Sequence, residues 1–143
     1  GRCLDLPTLI DGTKILNQYP VQHLITEGAG GWRLPLGNGQ YLSELAVECR
    51  MSVILVVELK LGCLNHAVLT AESISNDGLH LAGWVANAKN TDMLVQQENI
   101  QALTELIPAP LMGIVDHNDG DIEAPWKALD VSVMTTEDDL SQN

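Results

Sequence analysis

At 143 residues with 45% hydrophobic side chains, the chain is long enough to bury one domain's core and too apolar to be disordered. Aromatic residues make up 3% and Phe is absent, so that core must rest on Leu, Ile, Val and Ala. A formal charge of -12 argues against nucleic acid or an anionic membrane surface as a partner.

No apolar run reaches the about 18 to 20 residues of a membrane span. The three cysteines, Cys3, Cys49 and Cys63, share no C-x-x-C spacing. They suggest a reducing compartment without a disulfide framework, and a cytoplasmic location is expected. The first residues lack the basic-then-apolar pattern of a signal segment. The sequence opens with Gly rather than Met, so Gly1 is not read as a natural start.

Taken in chain order, Leu9, Ile10, Ile15 and Leu16 suggest a first helix. Residues 21–26 then read as a strand. Glu27-Gly28-Ala29-Gly30-Gly31-Trp32 follows it. A carboxylate at a strand's carboxyl end can ligate a divalent cation such as Mg2+. The glycines would let backbone N–H groups approach an anion. A tight turn with a solvated Glu27 is the alternative.

Val53-Ile54-Leu55-Val56-Val57 is the clearest strand, since a continuous β-branched run suits a strand buried on both faces. Leu64, Val68 and Ala71 recur at helical spacing after it. Between strand and helix lies Glu58-Leu59-Lys60-Leu61-Gly62-Cys63-Leu64-Asn65. A helix N-terminus leaves unpaired N–H donors at the positive end of the dipole, where a carboxylate or phosphate fits. Asn65 could donate to that anion or simply cap the helix. His66 reads as a packing or surface residue and Cys63 as a small buried one.

Residues 79–85 form the next expected strand, and Asn87 leaves it. Asn87 either ends the strand with a side-chain turn or presents paired donor and acceptor groups to a flat heterocycle. Ile100, Leu103 and Leu106 suggest a further helix. Pro108-Ala109-Pro110 then fixes an extended approach to a strand at 111–115. This alternation predicts an α/β fold, a parallel sheet with flanking helices, with ligands outside the carboxyl ends of its strands. Residues 1–115 read as the folded unit. From Asp116 to Asn143 there are eight acidic residues against one basic residue, Lys127. That stretch reads as a solvated, partly disordered tail, with a cation or basic-partner site as the alternative.

Four motifs together resemble dethiobiotin synthetase. They are EGAGGW with LPL at 27–36, the run from Val53 to Thr70, LAGWVAN at 81–87 and LIPAPLMG at 106–113. The resemblance covers residues 1–113 and implies a partial P-loop NTPase-like domain, the C-terminal half of the family fold. It implies ATP and Mg2+ as cofactors, and a diaminopelargonic acid carbamate that takes the γ-phosphoryl group before ring closure. Glu27 resembles the family's Mg2+ ligand. Gly28, Ala29 and Gly30 resemble the loop beside substrate and phosphates. Gly62, Cys63, Leu64 and Asn65 resemble the seat of the substrate carboxylate at a dimer interface. Asn87, Pro108, Ala109 and Pro110 resemble the nucleotide-binding positions.

The sequence departs from the family in places. No G-x-x-x-x-G-K-[ST] occurs in these 143 residues. Glu58 stands where the family has glycine, Ala88 where aspartate is common, and Asn99 where a tyrosine can occur. No residue is therefore assigned a catalytic role, and the chain by itself is expected to be inactive. A non-catalytic anion binder or scaffold built on the same fold is the alternative. An uncovered sheet edge would invite pairing with another chain, so a homo-oligomer, a dimer above all, is expected.

Overall fold

The computed structural model describes residues 5–88, 95–116 and 128–134. Helix α1 spans Leu6–Leu16. The Asp5 carboxylate caps it by accepting from the Thr8 N–H at 2.9 Å, and Pro7 sits in the first turn, where no intrahelical donor is lost. A short antiparallel hairpin follows, β1 at Pro35–Gly37 and β2 at Gln40–Tyr41. Its turn is made by Asn38 and Gly39, both at positive φ. Helix α2 at Ser43–Glu48 leads into strand β3, Val53–Glu58. Helix α3 (Cys63–Asn76), strand β4 (Leu81–Ala88), helix α4 (Gln96–Leu106), strand β5 (Leu111–Asp116) and a short 3-10 helix at Ser132–Met134 complete the order.

Strands β3, β4 and β5 form a parallel sheet in that order. One face carries Val57, Trp84, Ala86 and Ala88, and helices α3 and α4 pack against it. The buried stripe of α3 is Cys63, Ala67, Ala71 and Ile74, the 3.6-residue period of a half-buried helix. On α4, Ile100 and Leu103 are buried, but Leu106 is exposed and Ile107 takes its place in the core. Seven residues complete two turns and return Ile107 to the face of Ile100, whereas the three-residue spacing of Leu106 drifts off it. With few aromatics available, Trp84 is the largest fully buried side chain among the described residues.

The expected strand at 21–26 does not form. Every residue there is exposed and lies outside any described strand. An apolar pattern shows readiness to pair, but a strand exists only when a neighbour accepts its hydrogen bonds. The outer edge of β3 is likewise unpaired among the described residues. Ile54 and Val56, on the sheet face away from α3, remain exposed.

The far edge differs. The Asp130 N–H donates to the Met112 carbonyl at 2.7 Å, and Ala128 and Leu129 lie against Gly113, so residues 128–130 run beside β5. The 3-10 helix reaches β4. Part of the expected solvated tail is thus packed; its remaining positions, 117–127 and 135–143, lie outside the described residues, as does Cys3.

Candidate functional site

The sheet register sets Glu58, Asn87 and Val115 abreast at the carboxyl ends of β3, β4 and β5. The Leu59 N–H donates to the Asn87 carbonyl at 2.9 Å and carries the ladder one residue further. Leu59 (1% exposed) and Cys63 (3%) are both core residues, so the turn is pinned at two points. Leu61 between them is 98% exposed. The Cys63 N–H closes the turn on the Lys60 carbonyl at 2.9 Å.

Gly62 is the residue from which α3 starts. Its φ of 89° lies in the left-handed region, where a side chain would be strained, and it offers no side-chain cap. The Cys63 N–H is taken by Lys60, but no oxygen among the described residues accepts from the N–H of Leu64 or Asn65. Two donors of the first turn therefore face outward at the positive end of a 14-residue helix. Asn65 lies inside the helix and is exposed, so it does not cap it. Cys63 contributes a buried side chain and a backbone already engaged.

Glu58 stands at the same edge. Lys60 Nζ lies 2.6 Å from its Oε2, so its negative charge is balanced locally. Both side chains are about half exposed, and such a pair adds little to stability. A cavity of about 120 Å³ opens beside this turn, lined by Leu55, Glu58, Lys60, Cys63 and His66.

Residues 27–31 precede the hairpin and are all exposed. Gly30 and Gly31 have φ of 47° and 91°. The Glu27 carboxylate makes no hydrogen bond or ion pair among the described residues. No such bond joins residues 27–31 to Gly62–Asn65 among them either. Immediately afterwards the chain is anchored. Trp32 Nε1 donates to Asp77 Oδ2 at 2.8 Å and Arg33 Nη2 to Asp77 Oδ1 at 2.7 Å. The Arg33 guanidinium holds the Asp77 carboxyl below the usual carboxylate range; burial opposes this and the Trp32 indole assists it. The sequence alone did not single out Asp77. Forty-four residues separate it from Arg33, and no local pattern links them.

Asn87 is half-buried, with its side-chain amide unpartnered among the described residues. Pro108, Ala109 and Pro110 do not join it. They precede β5 at the amino edge of the sheet, where the Pro110 carbonyl accepts from the Trp84 N–H at 3.0 Å. No group of three or more His, Cys, Asp or Glu is placed to hold a metal among the described residues. Mg2+ nevertheless commonly takes one or two protein carboxylates, with phosphate and water completing the shell. The unpartnered Glu27 fits one such position.

A family model described as an AAA domain matches residues 2–123. The chain belongs to that AAA domain family. The parallel sheet flanked by helices agrees with the P-loop NTPase-like α/β fold of this family. Family membership is accompanied by similarity to curated relatives, each an ATP-dependent dethiobiotin synthetase. The protein of Cellvibrio japonicus is 55% identical over 91 residues, 64% of this chain and 40% of the relative. That of Alteromonas mediterranea is 45% identical over 130 residues, 87% and 55% of the two chains. That of Tolumonas auensis is 41% identical over 136 residues, 94% and 60%. The chain is thus dethiobiotin synthetase-like, and it spans about half the length of the curated relatives it matches.

Proposed function

We propose that this chain supplies the carboxylate-binding and base-binding side of a dethiobiotin synthetase. The observation that carries the reading is the start of α3: two unclaimed N–H donors, at Leu64 and Asn65, on the same sheet edge as the unpartnered amide of Asn87. The donors seat the carboxylate of diaminopelargonic acid, and Asn87 reads the adenine of ATP. Cys63 and Leu64 shape the seat, one by anchoring the turn and the other through its N–H. Gly28, Ala29 and Gly30 lie along substrate and phosphates, and Glu27 offers one ligand to Mg2+. The metal's chemistry would be to neutralise charge developing on the phosphoryl oxygens. Pro108, Ala109 and Pro110 support the fold at the far edge rather than the base at Asn87.

The polypeptide of residues 1–143 contains no G-x-x-x-x-G-K-[ST], so by itself it is proposed to bind without turnover. The test is a titration with diaminopelargonate, followed through the amide NMR signals of Gly62–Asn65, with phosphate release measured in parallel. Shifts at those four residues, weakened by Asn65→Ala, support the reading. Shifts elsewhere, or none, reduce the turn to a helix start. Turnover of ATP that disappears in Glu27→Ala would overturn the non-catalytic part.

A scaffold role is favoured by one separate observation. The edge of β3 that has no strand partner among the described residues lies beside exposed Ile54, Val56 and Leu61. Such an edge recruits a strand from another chain, and homo-dimerisation is the proposed outcome. A single species in sedimentation velocity, with no concentration dependence at micromolar protein, would refute it. No described helix is long and apolar enough to cross a membrane.

A further inference from the structure

We propose that Asp77 is the positioning residue of the Glu27–Gly31 loop. The meaning of this for ligand binding rests on the reading of that loop given above; the positioning itself does not.

The loop has little of its own to hold it. No hydrogen bond or ion pair engages residues 27–31 among the described residues. A Cβ on Gly30 or Gly31 would meet nothing within 4 Å, and one on Gly28 would meet only Leu42, at 3.6 Å. Residues 21–26, which lead into the loop, are exposed throughout. Order must therefore enter from the other end, at Trp32 and Arg33.

Both residues bind the same carboxylate, one on each oxygen, at 2.8 and 2.7 Å. Two consecutive residues held by two atoms of one group fix the chain's direction as well as its place. The neighbouring interactions reinforce this. The Trp32 ring packs against the hydrophobic core. Arg33 Nη1 also donates to the buried Ser43 Oγ at 3.4 Å, and the guanidinium lies 5.8 Å from the Tyr41 ring centre. Charge-assisted bonds of this kind are stronger than neutral ones, and the acceptor is only slightly exposed.

The location of Asp77 adds a second consequence. It is the C-cap of α3, whose other end is the open-donor turn at Gly62–Asn65. A 14-residue helix is a rod about 21 Å long. One rigid element thus carries the anion seat at one end and the latch of the glycine loop at the other. The spacing of the two candidate ligand loops is set by the length of α3, and Asp77 transmits it.

The experiment is 15N–1H NMR of the chain, with Trp32→Phe used to identify the Trp32 indole signal. Asp77→Ala should move the amide signals of Gly28, Gly30 and Gly31 towards their unstructured positions. It should also speed hydrogen exchange of the Trp32 indole by about tenfold or more, while the Trp84 indole and the amides of α3 and β4 stay in place. Asp77→Asn should fall between, because an amide oxygen still accepts from Trp32 but no longer attracts Arg33. Broadening of the Glu27–Gly31 signals by Mn2+ should need several-fold more metal in Asp77→Ala, as expected when the competent arrangement is less populated. Glycine signals that stay in place in Asp77→Ala, while the Trp32 indole exchanges freely, overturn the assignment. Absence of Mn2+ broadening in the unmodified chain instead removes the metal-loop reading, and the glycine signals still decide the latch. Should Asp77→Ala fail to fold, Trp32→Phe breaks one arm of the latch and is read by the same glycine signals.

Discussion

Lys60 Nζ lies 2.6 Å from Glu58 Oε2, across the turn that leads to the open donors of α3. A lone carboxylate at that position would repel an anion. The pair instead presents a balanced charge. Removing Glu58 should still favour an anion, since it leaves Lys60 uncompensated, and removing Lys60 should do the reverse. For half-exposed charges the effect is about 0.5 to 1 kcal/mol, or roughly two- to fivefold in affinity. Phosphate or diaminopelargonate titrations of Glu58→Gly, Lys60→Ala and the double variant form the cycle that measures it. Equal affinities in all four proteins would place the anion elsewhere.

Gly113 accounts for the packing of residues 128–134. A Cβ there would run into the Ala128 carbonyl oxygen and crowd Leu129, with backbone on one side and little room to yield. Gly113→Ala should cost about 1 to 3 kcal/mol in urea unfolding and expose this segment to proteolysis. Gly12→Ala is the control, because its Cβ would meet nothing within 4 Å. Equal stability of the two variants would show that the segment does not press on β5.

Acid should loosen the Trp32 latch. The folded-state value of Asp77 lies below its unfolded one, held there first by the Arg33 hydrogen bond. Its contribution to stability is therefore present above the ordinary carboxylate pKa and is lost as pH falls through the lowered value. In the window below about pH 4, wild-type stability should fall more steeply with decreasing pH than that of Asp77→Asn. Chemical unfolding at successive pH values reads the slope. Parallel slopes would mean that Asp77 carries no net stabilising charge.

The core depends on a few aliphatic side chains. Ile74 is fully buried between α3 and the sheet. Ile74→Ala should lower stability by about 2 to 5 kcal/mol. Leu61→Ser should lower it by no more than a few tenths, since 98% exposure leaves almost nothing to lose. If Leu61 contributes to self-association, the same serine variant should shift sedimentation towards monomer while leaving the unfolding midpoint of the monomer unchanged.

Composition and periodicity were enough to predict β3, β4 and β5, the helices between them and the parallel order, because each is written locally. Val53–Val57 is β-branched nearly throughout, and the α3 stripe repeats at helical spacing. The join that contains Gly62 was legible for a similar reason, because it lies between a strand pattern and a helix pattern; the left-handed conformation of Gly62 came from the structure. The hairpin of β1 and β2 was not predicted, although Asn38-Gly39 is a local signal for it. The tertiary structure decided the rest. Residues 21–26 carry a strand pattern but find no strand to pair with among the described residues. Asn87 and Pro110 belong to adjacent motifs yet lie at opposite ends of the sheet, because one ends a strand and the other begins one. Asp77 is an ordinary helix-end carboxylate until folding brings Trp32 and Arg33 to its two oxygens. Local backbone preference acts over a few residues and can be read in order; hydrogen-bond partners and charge pairs are chosen by proximity in space, which only the packed chain supplies.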